Sequence, residues 1–561
     1  MNAVQQLLID HIEIWTAAET EKKSGRGRAS GSAANVYGIK KLRELILDLA
    51  VRGKLVPQDA NDEPARELLE RIQTERARLV AEKITRKGQP LPPIDNQEKT
   101  FDLPCGWEWV RLGLIGDWGA GATPLRSKSS YYGGTTPWFK SGELIADFID
   151  NSEETVTHLA LQECSLRLNQ PGDVLIAMYG ATIGKTAILK IAGTTNQAVC
   201  ACTPNTGVLN LYMLVLLKAM RSNFIGQGAG GAQPNISREK IIATVIALPS
   251  TEEQHRIVAK VDELMALCDQ LEAQHSDAND AHEQLVSNLL GTLTQSPSAA
   301  DFNTNWQRIA AHFDALFTTR ASIDALKQTL LQLAVMGKLV AQDGNDEPAR
   351  EFLERQKISS EMNAIDGWSS VPLGKLGVIF SGATPSKAKS EYWTGNIPWI
   401  SPKDMKRLYI GDAEDNVSDD AIRETSLKLI PSGSILVVVR GMILAHSFPV
   451  ALTTDKVTIN QDLKALVLPE EIKEYVLLYL RAMKNYFVSI VDRSSHGTCK
   501  LLSEKLWPTI IAIPPLSEQL RIVTKVNELM ALCDHLRSSI AGANHQQKKL
   551  ADVLIDHAVM G

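Results

Sequence analysis

Residues 254–273 read QHRIVAKVDELMALCDQLEA, and residues 519–538 read QLRIVTKVNELMALCDHLRS. In the first stretch Ile257, Val261, Leu264, Cys268 and Leu271 are spaced 4, 3, 4 and 3, and Ile522, Val526, Leu529, Cys533 and Leu536 repeat the pattern. Apolar residues at such steps line one face of a helix and form a seam. A seam needs an apolar partner in water. Each copy offers the other an equivalent surface, so the spacing predicts two antiparallel helices packed seam on seam.

The repetition spreads outward from there. Residues 49–72, LAVRGKLVPQDANDEPARELLERI, return as LAVMGKLVAQDGNDEPAREFLERQ at 333–356, an offset of 284. His11-Ile12-Glu13 is echoed by His312-Phe313-Asp314 at an offset of 301. The additional residues of the first copy fall in SGRGRASGSAA (24–34), whose composition is that of a flexible linker. Before the linker, Val4, Leu7, Leu8, His11, Ile12 and Trp15 make one face of a short helix. After it, the sequence from Ile39 predicts a helix that Pro57-Gln58-Asp59 breaks, and Pro64 starts another. The proline-rich QPLPPIDNQ (89–97) closes that region.

The segments between the helical regions repeat more loosely. GWEWVRLGLIGDWGAGATP (106–124) matches GWSSVPLGKLGVIFSGATP (367–385), offset by 261. Tyr131 then matches Tyr392, Pro137-Trp138 matches Pro398-Trp399, and Asn196-Gln197 matches Asn460-Gln461. Short apolar runs, DVLIAMY (173–179) and SILVVVR (434–440), broken by glycine and proline, predict mixed α/β globules. The last residues, HAVMG (557–561), match 333–337 and 49–53, so a third helical motif stops short at the C-terminus. The N-terminal helices would complete it, giving a circular pseudo-twofold repeat. The expected boundaries are 1–100 helical, 101–250 globular, 251–360 helical, 361–515 globular and 516–561 helical.

A chain of 561 residues predicts several domains. With 44% apolar and 22% charged residues the composition is globular. The N-terminus lacks a basic leader region, and no apolar run reaches the roughly 18 residues of a membrane span, so a cytoplasmic protein is expected. Seven scattered cysteines, of which only Cys200 and Cys202 lie close, predict reduced thiols and no metal site. The net charge of −6 is unevenly distributed. Residues 101–250 hold 11 cationic and 11 anionic side chains and residues 366–515 hold 17 and 16, so the acidity lies in the helical segments.

This organisation resembles the specificity subunit of type I restriction-modification enzymes. The similarity rests on AVxGKLVxQDxNDEPAxExLER and EQxRIVxKVxELMALCDxL in two copies each, and on GATP followed by PW in both globules. The resemblance implies a fold of two α/β target recognition domains alternating with two long antiparallel coiled-coil helical spacers. It implies that each domain reads half of a bipartite double-stranded DNA site, with two methylation subunits docked on the helices and two restriction subunits completing the enzyme. S-adenosylmethionine and ATP with magnesium are expected on those partners, and no cofactor on this chain. A helix from 252 to 290 would be about 57 Å long, enough to hold two domains one to two turns apart at about 34 Å per turn. Since the two domains differ, the site should be asymmetric.

No catalytic centre is expected. Gly180-Ala-Thr-Ile-Gly184-Lys185-Thr186 has three residues between its glycines where a phosphate-binding loop needs four, and the second domain has Gly441–Ser447 without the lysine. Pro-Pro pairs occur only in Leu-Pro-Pro-Ile and Ile-Pro-Pro-Leu, not in the context of a base-flipping methyltransferase. Features shared by both domains (Gly121–Pro124 and Gly382–Pro385, Trp138 and Trp399, Gln197 and Gln461) read as framework. Positions that keep charge but change identity read as DNA contacts: Arg126 and Lys128 against Lys387 and Lys389, near Tyr131 and Tyr392. The glycine-rich 226–237 and its counterpart 494–503 add Gln233, Asn235, His496 and Lys500. Lys140, Lys185, Lys403 and Arg440 complete the candidates.

Overall fold

A computed structural model of the protein describes residues 12–17, 36–82, 90–228, 234–493 and 498–560. Val4, Leu7, Leu8, His11, the linker at 24–34, Gln233, His496 and Gly561 lie outside the described residues. The chain forms two compact units, one of Met1–Ala278 with Ala543–Gly561, the other of Asn279–Gly542.

In the first unit, helices Tyr37–Val51 and Ala65–Ala81 lead into the α/β domain. Pro64 stands immediately before the second of these, as the sequence predicts. The strands that open and close the domain, Glu108–Arg111 and Val245–Leu248, pair antiparallel, so the chain leaves the domain beside the point where it came in. Between them a five-stranded sheet runs in the order Gly116–Ala120, Val199–Pro204, Val174–Ala177, Thr186–Leu189 and Phe148–Ile149. A three-stranded sheet, with Tyr132–Phe139 in the middle, packs Trp138 and Tyr131 into a separate small core. The buried run Val174–Ala177 is the centre of the larger sheet, fully covered on both faces, which explains its unbroken apolar sequence.

The second unit repeats this order and adds two pairings, Glu361–Met362 with Ser369–Pro372 and Asp492–Arg493 with Cys499–Lys500. Ser369–Pro372 pairs with Ile510–Ile513. The five-stranded sheet runs Val378–Ser381, Leu463–Val467, Ile435–Val438, Val450–Thr453, Tyr409–Ile410. Helix Arg320–Val335 takes the place that Tyr37–Val51 has in the first unit, and Ala299–Ala311 with Phe313–Leu316 precede it.

Two helices of 45 residues each, Thr251–Gln295 and Leu516–Met560, carry the seams. At about 1.5 Å per residue each is about 67 Å long. Ile257, Val261, Leu264 and Cys268 are buried in one core with Ile39, Leu42, Leu45, Ile46 and Leu49, and with Ala551 near the end of the second long helix. Ile522 and Val526 are buried against Leu331, Ala334 and Val335 of helix Arg320–Val335. Cys533 shares a core with Val286, Leu290 and Leu293 from the end of the first long helix, and Leu271, Leu529 and Leu536 pack at the edges of these cores. The partner of each seam therefore lies inside its own unit, which corrects the expectation of seam on seam. Each seam is covered by the helix that precedes its own α/β domain and by the far part of the other long helix. In each unit the early part of one long helix shares a core with the late part of the other, which is the order of an antiparallel pair.

The split terminal repeat closes as expected. Tyr37 donates to Asp552 at 2.7 Å and Lys548 lies over the Tyr37 ring, so the end of the chain sits on the helix near its beginning. Trp15, fully buried, packs there too, and Gly38 leaves room for its backbone. Among the described residues no cysteine is in a disulfide. Among the described residues no helix is long and apolar enough to cross a membrane.

Replacing the fully buried Leu264 by alanine should cost about 2–5 kcal/mol of unfolding free energy. The same change at Leu267, one turn on and 40% exposed, should stay within about 0.5 kcal/mol. Urea unfolding followed by tryptophan fluorescence compares the two, and equal losses would refute the seam assignment.

Candidate nucleic-acid interface

The positions that the two domains share do the same structural work twice. In Gly121 and Gly382 a Cβ would run into main-chain oxygens of the neighbouring strand, so only glycine fits the start of each GATP motif. Ala122 N–H donates to Thr195 O at 3.0 Å and Ala383 N–H to Ile459 O at 2.9 Å. Trp138 Nε1 donates to Ala122 O and Trp399 Nε1 to Ala383 O, both at 3.0 Å. The hydroxyls of Thr123 and Thr384 bond the side-chain oxygens of Gln197 and Gln461. These residues are framework, as the internal comparison expects.

A second shared set joins each domain to its long helix. Trp107 Nε1 donates to Glu253 at 2.9 Å, and Trp368 Nε1 to Glu518 at 3.0 Å. Arg256 grips both oxygens of Asp62, and Arg521 both oxygens of Asp346. The aspartates come from the NDEPA motif, whose following alanines, Ala65 and Ala349, donate their N–H to Gly106 O and Gly367 O. Gln58 also donates to Glu253, at 2.7 Å, while the other Glu518 oxygen has no partner among the described residues. Burial pushes both glutamates above the ordinary carboxyl range, and Arg256 holds Asp62 below it.

The candidate contact residues divide into two groups. Lys128 bonds Glu163 at 2.6 Å and the Tyr131 hydroxyl at 2.9 Å, and Tyr131 donates to Glu163 at 2.7 Å. Lys389, Tyr392 and Glu424 build the same triad. Arg126 pairs with Glu154 and lies 4.8 Å and 4.9 Å from the ring centres of Tyr132 and Trp138. Lys140 bridges Glu153 and Glu154, and Lys403 bridges Glu414 and Asp415. Lys128 draws Glu163 below the ordinary carboxyl range, and Arg126 and Lys140 do the same to Glu154. A phosphate approaching these cations meets a carboxylate already in place, so the triads and bridges serve the framework first.

The other group lies at a turn. In the first unit the central strand Val174–Ala177 runs into the short turn Gly180–Thr182, and Gly180 N–H donates to Pro234 O at 2.8 Å while Ile236 N–H donates to Met178 O at 2.9 Å. In the second unit Gly441 N–H donates to Cys499 O at 3.0 Å and Leu501 N–H to Val439 O at 2.9 Å. These are the same two bonds. They leave Tyr179 facing Asn235 in one domain and Arg440 facing Lys500 in the other. Main chain is kept and side chains are replaced. Lys185 sits half-exposed just past the first turn, and His446 at the corresponding point of the second. Lys387 is exposed on the loop after the second GATP motif. The structure thus brings Asn235 and Lys185 to one turn and Arg440 and Lys500 to the other, apart from the triads.

Tyr179 is missing from the sequence reading. It precedes Gly180 as Arg440 precedes Gly441, so the offset of 261 marked it as a changed position beside a kept glycine. The turn at Gly180 leads into strand Thr186–Leu189. A phosphate loop leads at that point into a helix N-terminus.

The family model described as "Type I restriction modification DNA specificity domain" matches residues 104–278 and 365–540. The "Type I restriction enzyme EcoAI specificity subunit" of Escherichia coli is 35% identical over 617 aligned positions, covering 99% of this chain and 100% of the relative. The "Type I restriction enzyme EcoEI specificity subunit" of Escherichia coli is 33% identical over 609, with 99% and 100% covered. The crystal structure of the HsdS subunit from Thermoanaerobacter tengcongensis aligns with 83% of this chain and 99% of its own, at 19% identity and a TM-score of 0.38.

The joint gives a pH signature. A carboxyl whose folded pKa is raised adds its stability in full below its ordinary value, here 4.5, and loses it as pH rises through the folded value. Glutamine at 253 cannot titrate. Glu253→Gln should therefore gain stability relative to the unmodified protein as pH increases through the window just above 4.5, measured by urea unfolding across that range. A difference independent of pH would contradict the raised value.

Proposed function

The chain belongs to the family of type I restriction-modification DNA specificity subunits, and from this we propose that each α/β domain reads one half of an asymmetric bipartite site. As a specificity subunit it is the recognition part of its enzyme and not the catalytic part. The observation that carries the two-reader proposal is the pair of turns. Identical main-chain bonds hold Tyr179 and Asn235 in one domain and Arg440 and Lys500 in the other. A fixed frame with exchangeable side chains is what reading different bases on one scaffold requires.

The long helices set the distance between the half-sites and dock two methylation subunits, and two restriction subunits complete the assembly. S-adenosylmethionine sits on the methylation subunits, ATP and magnesium on the restriction subunits, and this chain binds no cofactor. Methylation needs a base turned out of the stack, which the methylation subunit performs while this chain fixes the address. The complex works in the cytoplasm, where thiols stay reduced. Cationic loops supply salt-dependent affinity for the phosphates.

Co-expression with its methylation subunit in a host lacking DNA methylation, followed by mapping of modified adenines, tests the proposal. The expected result is a split, asymmetric motif with a fixed unspecified gap, of which replacing residues 106–249 changes one half only. A continuous motif would mean one silent domain, and sites unchanged by omitting this chain would leave it as a protein scaffold.

A further inference from the structure

The turn of the second unit places two cations where folding alone would avoid them. The bonds Gly441 N–H to Cys499 O and Leu501 N–H to Val439 O flank the facing residues Arg440 and Lys500. Residues opposite one another between two such bonds form the close kind of antiparallel pair, with Cα atoms about 4.5 Å apart and both side chains on one face. Like charges in that arrangement repel. Arg440 has one counter-charge, Asp462 at 3.6 Å, and stays 50% exposed. Lys500 is exposed, and its ammonium has no hydrogen bond or ion pair among the described residues. On its other side stands Asp492, one of whose oxygens takes Lys505 at 2.5 Å while the other is buried with no hydrogen-bond partner among the described residues.

Resting on the two-reader proposal, we propose that Arg440 and Lys500 form a two-cation clamp for an acceptor-rich edge of DNA, the O6 and N7 edge of a guanine in the major groove. A guanidinium or ammonium on guanine O6 and N7 is the commonest base-specific contact, because no other base pair presents two acceptors side by side there. The setting supports a base edge over a phosphate. Met442 and Ile443, at 65% and 38% exposure, project from the same turn, where apolar side chains suit a groove floor with thymine methyls. Gly441, at φ 139°, allows the sharp change of direction that brings the turn out from the sheet. The first unit presents different chemistry at the same place. Asn235 offers one donor and one acceptor, the match for adenine N6 and N7, beside the half-exposed Tyr179. The half-site of the second domain thus contains a guanine set by the clamp, and that of the first lacks one at the corresponding place.

Arg440→Ala and Lys500→Ala, each in the full complex with the methylation subunit, test this by mapping modified sites and by binding to short duplexes over a range of salt. The expected result is loss of one guanine from the half-site of the second domain, with discrimination at that position reduced about 5- to 150-fold. The other half stays unchanged and so reports that the fold is intact. Binding weakened equally for every sequence, with the salt slope reduced by about one, would identify a phosphate contact and overturn the guanine assignment. An unaltered motif and affinity would overturn the clamp altogether. In both cases the unmodified complex still yields a split motif, whereas failure of the two-reader proposal itself appears as a wild-type motif that is not split.

Discussion

Everything about this protein that concerns position depends on the buried joint between a tryptophan indole and a glutamate in the first turn of a long helix. Trp107 with Glu253, and Trp368 with Glu518, fix each α/β domain to the helix that leaves it. A buried carboxylate is costly unless its bonds are made. The joint is therefore specific in geometry: the indole N–H must point at the helix start, and the Arg256–Asp62 and Arg521–Asp346 pairs hold the neighbouring loop in place. A domain free to rock on its helix would have no fixed orientation relative to that helix.

The joint also accounts for the unequal pace of the internal repeat. The motif GKLVxQDxNDEPA and the seam helix meet at this joint, and both are nearly identical in the two halves. Each change there would have to be answered by another inside a packed, hydrogen-bonded cluster. The turns at Gly180 and Gly441 are under the opposite constraint. Their main-chain bonds suffice to hold their shape, so the side chains beside the glycines are free to differ without disturbing the sheet.

Cationic residues near a turn were the natural candidates for DNA contact, and the structure sorts them by their surroundings. Lys128, Lys389, Lys140, Lys403 and Arg126 are each paired with carboxylates. Their partners Glu163, Glu424, Glu154 and Asp415 lie 12 to 35 residues away, and nothing in spacing or composition announces the pairing. Arg440 and Lys500 are further apart still in the chain, and only the bridge between the two segments places them side by side.

The sequence by itself determined the two-fold repetition, the alternation of helical and α/β segments, the two long helices, the closing of the terminal repeat and the family. These follow from periodicity and from near-identity at fixed offsets, which a linear string records directly. The tertiary structure alone decided what each seam packs on, which cations are already neutralised and which side chains stand together at the turn. Those are matters of distance between residues far apart in the chain. A helix seam states how wide its apolar face is but not which of several apolar faces covers it, and a lysine states its charge but not the carboxylate that meets it.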